Sequence, residues 1–278
     1  MWHAGERAVQ ERAGVTEIAD QLLGTQEPNI PPVAREFLTE QPWILLGATD
    51  RDGRPWASPL YGEPGFVTTP DPSTVHIAAH PLPGDPLTHI QGAVGALALE
   101  PATKRRMRLN GHATTDATGI TIELEQVYSN CPKYIAKRHP MPRAANPIRH
   151  ESSSLDAAAE RLLAQADTAF IATRAPEGAD VSHRGGPPGF LNPQDGTVSW
   201  PDFQGNALFN TLGNLVVDPA CGLTVIDPDD GTTLYLSGRA TVADDRRVTL
   251  KPDRVVRLTN AAPISWWLEK LGRYPSSA

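Results

Sequence analysis

The sequence has no excess of positive charge. Over 278 residues, 25 Lys and Arg stand against 32 Asp and Glu, a formal net charge of -7. A phosphate backbone calls for a basic field, so a general nucleic-acid binder is excluded. Cysteine is scarce: Cys131 and Cys221 are the whole complement, too few for a disulfide framework or a four-ligand zinc site. No apolar run approaches the roughly 18 residues of a membrane span. The charged, helical stretch "MWHAGERAVQERAGV" has no signal-peptide core. The expectation by elimination is a cytoplasmic protein with no membrane partner. Gly-x-Gly-x-x-Gly, Walker and Gly-x-Ser-x-Gly motifs are all missing. His76 and His80 are spaced by four on a predicted strand, but no carboxylate accompanies them at metal-like spacing, so no metal is expected. The one dense basic run, "TKRRMR" (103–108), reads as a solvated turn or edge strand.

What the chain does contain is a copy of itself. With 40% hydrophobic residues it can bury a core. "GATDRDGRPWASPLYGEPGFV" (47–67) lies against "IATRAPEGADVSHRGGPPGFL" (171–191). Ala48, Ser58 and Phe66 match Ala172, Ser182 and Phe190, each 124 positions apart with no gap. "LNGHAT" (109–114) matches "LSGRAT" (236–241) at a separation of 127. So long a period is a duplicated domain rather than a solenoid. Each copy predicts a short helix (32–39; 155–165), then β-branched and aromatic strands with Gly and Pro turns between them. Many short strands with one inserted helix point to a small closed antiparallel barrel. The expected fold is therefore mainly β with peripheral helices, two tandem antiparallel barrels. The expected parts are an N-terminal helical extension (1–30), a first barrel (31–140), a Pro-rich polar linker (141–154) and a second barrel (155–278).

The copies differ in polar chemistry. Where the second has His183-Arg184-Gly185, the first has Pro59-Leu60-Tyr61. This asymmetry suggests that the second copy holds the anionic end of a ligand and the first covers another part. Arg184 offers a planar fork for phosphate oxygens, and Gly185 permits close backbone approach. Strand alternation sends Ser182 and Arg184 to one face and His183 to the other. A helix is expected to start near Gly205 with Asn206 as its N-cap. Its free N–H groups favour an anion, with Asn206 and Asn210 as candidate ligands and Asn214 bridging backbone groups. In "NCPKYI" (130–135), Cys131 is a candidate thiol with Lys133 nearby. Trp200, Tyr134, Trp266 and Trp267 are candidate aromatic walls for a planar substrate.

Taken together, "SHRGGPPGF", "TVSWPDFQGNALFNTLGN", "GLTVIDPDDGTTLYLSGRATV", "TKRRMRLNG" and "EQVYSNCPKYI" resemble the tandem, two-barrel branch of the pyridoxamine 5′-phosphate oxidase-like flavin-binding split barrels. The resemblance implies six-stranded split barrels with FMN in a cleft between them. It implies that Ser182, Arg184 and Asn206 serve the phosphate and ribityl end, and that Trp200, Pro201 and Asp202 lie along the flavin. Lys133 and Tyr134 are then expected to reach the isoalloxazine from the other barrel. His183, Gly185 and Asn210 complete the expected cofactor set, and Cys131, Lys133 and Tyr134 are the candidate catalytic residues. The implied activity is that of an FMN-dependent oxidase or reductase on a small organic substrate, with a redox partner or reductase and a homodimeric assembly. The alternatives are an F420- or haem-binding split barrel and a non-catalytic flavin-binding module. The chain departs from true pyridoxamine phosphate oxidases, because "ISWWLEKLGRYPSSA" lacks their C-terminal Arg-Leu-x-Pro signature. Ala207-Leu208-Phe209 also stands where relatives often carry a second Arg, leaving Lys133, Arg138 or a backbone group to compensate.

Overall fold

The computed structural model describes residues 2–23, 28–176, 178–205 and 207–275. Strands β1 (Trp43–Thr49), β2 (Pro55–Tyr61), β3 (Val67–Asp71), β4 (Thr74–Ile77), β5 (Gly92–Glu100), β6 (Arg105–Asp116) and β7 (Gly119–Ser129) form one sheet. Its order is β2-β1-β5-β6-β7-β4-β3. After β8 (Lys137–Pro142) and β9 (Ile148–Ser152), the pattern recurs in β10 (Thr168–Ala175), β11 (Gly178–Gly185), β12 (Asn192–Gln194), β13 (Thr197–Pro201), β14 (Ala220–Ile226), β15 (Thr233–Val242) and β16 (Arg247–Thr259). The order is β11-β10-β14-β15-β16-β13-β12, the same strand for strand. Strand β17 (Ile264–Lys270) pairs antiparallel with β8, tying the end of one copy to the end of the other. Helices α1 (Ala4–Arg12), α2 (Thr16–Leu23), α3 (Pro32–Thr39), α4 (Ala157–Gln165) and α5 (Asn210–Val217) are peripheral.

Pairing registers fix the duplication residue by residue. Asn110 and Ser237 each precede a bulge at the same point of the β6–β7 and β15–β16 ladders. The gap-free separation of 124 does not hold through the first strands. Leu46 pairs with Ser58, but Ile171 pairs with Ser182. With the two serines equivalent, Leu46 matches Ile171, a separation of 125 (171 minus 46). The shorter β10–β11 turn absorbs the missing residue. Burial decides the register, because a one-residue slip exchanges the two faces of a strand. Ile44 and Leu46 face the first barrel's core, as Ala169 and Ile171 face the second's. Trp43 and Leu45 meet Phe170 and Ala172 between the barrels. Strands buried on both faces read as unbroken apolar runs such as "WILLGAT".

All seven strands of the first sheet send side chains into one core, and α3 packs Phe37 and Leu38 against it. The barrels touch through β1, β2 and β5 on one side and β10, β11 and β14 on the other. The contact is close enough to demand glycine. A Cβ on Gly95 would lie 2.7 Å from the Asp180 Cα, and one on its counterpart Gly222 would lie 2.5 Å from the Pro55 carbonyl oxygen. The 141–154 segment carries the end of β8 and all of β9, and β9 extends the second sheet along β16. Strand β4 ends at Ile77, so His80 lies beyond it, and His76 is hydrogen-bonded to Thr121 at 3.1 Å. No helix among the described residues is long and apolar enough to cross a membrane.

Candidate functional site

Between the barrels is a small polar pocket of about 80 Å³. The first barrel supplies Arg106 and Arg108 from β6 and the 130–134 loop. The second supplies His183, Arg184 and Gly185 from the end of β11, Pro201 and Asp202 from β13 onward, and Asn210 and Thr211 from α5. Both walls belong to one chain.

Arg106 and Arg108 come from the run expected to be solvated. Alternation explains the difference: Met107 and Leu109 enter the first barrel's core, so Arg106 and Arg108 project from the opposite face, which the second barrel covers. Arg108 is buried and donates to Asp180 Oδ2 at 2.9 Å, to the Tyr128 hydroxyl at 3.3 Å and to Asn210 Oδ1 at 3.4 Å. Arg106 has no carboxylate within ion-pair distance among the described residues. It donates to the Cys131 carbonyl and to His183 Nδ1 at 3.2 Å. Burial, with Arg108 and Arg184 close by, brings its pKa down to about 9. The Nε of Arg106, of Arg108 and of Arg184 each lacks a partner among the described residues. A guanidinium cannot accept, so His183 Nδ1 is the acceptor and its proton sits on Nε2. Burial and then Arg106 hold His183 well below its ordinary pKa, hence neutral.

Arg184 lies 3.5 Å from Asp202. Burial raises the Asp202 carboxyl, and Arg184 opposes that rise. Both His183 and Arg184 reach the pocket although they alternate, because β11 is the sheet's edge strand and the pocket wraps around it. Lys133 is exposed on the rim. Tyr134 adopts a left-handed backbone (φ 65°), donates its hydroxyl to the Gln204 carbonyl at 2.8 Å and leans on Phe203 at 5.4 Å. A Cβ on Gly185 would sit 1.9 Å from the Tyr134 carbonyl oxygen, so only glycine fits that seam.

Several expected ligands lie elsewhere. Trp200 is fully buried in the second barrel's core, because its side chain alternates inward with Val198. Ser182 is buried against the Thr211 hydroxyl at 3.0 Å. Trp267 is solvent-exposed. Arg138 is committed to a two-point ion pair with Asp167 at 3.1 and 2.7 Å. Asn206 lies outside the described residues. Helix α5 starts at Asn210 rather than near Gly205. Its N-cap is Phe209, left-handed at φ 58°, with no side-chain cap bond among the described residues. Tertiary packing overrides the apolar period there: Leu208 is drawn into a cluster with Trp2, Ala19 and Tyr128. Asn210 donates to Glu6 at 2.9 Å, and Asn214 joins Thr173 to His3. Asn210, Thr211 and Leu212, the first residues of α5, line the pocket beside the arginines, and an uncapped helix N-terminus favours an anion.

The equivalent cleft across the duplication lacks this chemistry. Thr233 and Tyr235 stand where Arg106 and Arg108 do (127 further on), and Leu60 stands for Arg184 (184 minus 124). There Ser58 and Tyr235 both donate to buried Asp85, at 2.6 and 2.9 Å. Burial pushes Asp85 up to about 6. In the unfolded chain it titrates near 3.9. Below both values the group is neutral in both states and costs nothing. As pH rises from 4 through 6, the unfolded chain ionises first and stability falls by roughly 3 kcal/mol. Asp85→Asn removes that slope. Urea melts at pH 4 and pH 7 should show the difference between variant and parent shifting by about that amount in favour of Asn. A difference independent of pH would contradict it.

No family profile matches the sequence, and no curated protein matches it significantly. Among solved structures, the FAD-binding protein of Mycobacterium smegmatis matches at 15% identity and a TM-score of 0.28, over 40% of this chain and 98% of its own. A NimC/NimA family protein of Clostridium acetobutylicum matches at 9% and 0.27, over 38% and 91%. A candidate pyridoxamine 5′-phosphate oxidase of Corynebacterium glutamicum matches at 13% and 0.29, over 43% and 99%. The chain itself is a tandem of two antiparallel split barrels.

Proposed function

We propose that the chain is an FMN-dependent oxidoreductase acting on a small organic substrate, with the flavin phosphate in the pocket between the barrels. The observation that carries this reading is Arg106, a guanidinium in the inter-barrel wall with no carboxylate to neutralise it among the described residues. Such a charge is costly unless paired. A phosphate would pair with it, with Arg184 and with the N–H groups of α5, and would meet the unpartnered Nε donors. The flavin itself is suggested by the resemblance of the motifs, not by the pocket.

In this reading Arg106 and Arg184 bind and orient the anion, and Arg108 is held by Asp180 as a rigid wall. Tyr134 and Phe203 offer a paired aromatic surface at the rim. Neutral His183 can donate one hydrogen bond through Nε2. The bound flavin would supply the electron-transfer chemistry, which the protein orients and shields. Electrons would come from or go to a redox partner, a reductase or the substrate itself.

The visible spectrum of the purified protein tests this. A flavin spectrum, with FMN released on denaturation, is expected. A Soret band would indicate haem, and a colourless protein that fails to take up added FMN would contradict the proposal.

A further inference from the structure

We infer that a second cavity, which shares His183 with the anion pocket, is a separate binding site for an uncharged planar aromatic molecule bearing a hydrogen-bond-accepting oxygen. The cavity measures about 350 Å³, within the range of small-molecule sites. It spans the duplication: Leu99 and Ile226 line it, as do Pro101 and Pro228, each pair 127 apart. Its aromatic wall is Trp43, set edge-on to Phe170 at 5.6 Å and tilted against Trp266 at 4.9 Å. Of the aromatics the sequence singled out as substrate walls, only Trp266 is here.

Charge selects the occupant. Arg138 and Asp167 line the cavity, but they neutralise each other through two hydrogen bonds. The Asp227 carboxylate accepts the N–H groups of Asp229 and Asp230 in its own turn, at 2.8 and 3.2 Å. An anion would lose its hydration and find no free cation among the described residues, and a cation would find only the Asp227 carboxylate, already held by two backbone N–H groups. Arg138 supplies a spare donor: its Nε is buried with no partner among the described residues. It suits a carbonyl or similar oxygen. The anion pocket, with its unpaired Arg106, has the opposite preference. His183 lines both cavities, so the two ligands would be neighbours across one imidazole. The binding claim stands without the flavin. That the occupant is the organic substrate rests on the reading above.

Calorimetric titration with three isosteric probes tests the inference: 2-acetonaphthone, 2-naphthoate and 2-naphthylmethylammonium. The neutral ketone should bind one per chain, roughly tenfold or more tighter than either ion. Saturating inorganic phosphate should leave its affinity unchanged. Ala166→Phe and Leu162→Trp each add bulk to the cavity lining and should each weaken the ketone about tenfold, with phosphate binding unaltered. Both keep their melting transition if they fold, and either one suffices. No binding of the ketone, equal binding of all three probes, competition by phosphate, or indifference to a folded filling variant would each overturn it. Ketone binding in a protein that takes up no FMN would uphold the site and remove the flavin reading instead.

Discussion

Asp180→Ala should destabilise the protein by about 3–5 kcal/mol, the usual cost of orphaning a buried charge. Arg108 and Asp180 are both buried, at 8% and 4% exposure, and meet at 2.9 Å across the two barrels. Among the described residues, removing the carboxylate leaves the guanidinium with the Tyr128 hydroxyl and the Asn210 amide. Arg108→Met/Asp180→Leu removes both charges and should recover most of the loss, since apolar replacement of a buried pair is often neutral or better. Denaturant melts of parent, single and double variants measure this. A single variant within about 1 kcal/mol of the parent, well below that cost, would show that Arg108 finds another counter-charge.

The second large effect concerns the anion. Arg106→Ala and Arg184→Ala should each weaken FMN about ten- to a hundredfold, the value of one charge-assisted contact. The two losses are not additive, because both guanidinia would hold one anion; the double variant should bind more weakly than either single one. Arg105 is the internal control. It is on the same run, but it is exposed and lies over the Phe37 ring at 4.6 Å. Arg105→Ala should leave the affinity unchanged. Equal losses from all three substitutions would reveal a diffuse charge effect rather than a built pocket.

Most of the architecture was legible in the sequence. The repeat, the strand pattern and α3 at Pro32–Thr39 follow from apolar periodicity and turn residues. The β10–β11 turn was not legible to the residue. One missing position inside a matched stretch leaves the letters aligned while the faces exchange, and only pairing shows which face is buried. Helix α5 was misplaced because Leu208 fits a helical period yet packs against Trp2 and Tyr128 from distant segments. Arg184, Lys133, Tyr134 and Asp202, singled out by copy-to-copy contrast or by motif, all line the pocket. Arg106 and Arg108 escaped because a charge run is ordinarily solvated. The same contrast would have flagged them: they align with Thr233 and Tyr235, which stand in the equivalent cleft beside Asp85. That the partner surface covers their face is a long-range fact, absent from any local window.

On the proposal above, the cleft lined by Arg106 and Arg184 takes one anion, and the equivalent cleft, filled by Asp85 with Ser58 and Tyr235, takes none. Titration of FMN into the ligand-free protein, followed by flavin fluorescence, tests it most directly. The expected result is one FMN per chain, with affinity falling in Arg106→Ala and unchanged in Asp85→Asn. Two equivalents per chain, no binding, or binding indifferent to Arg106 would contradict it.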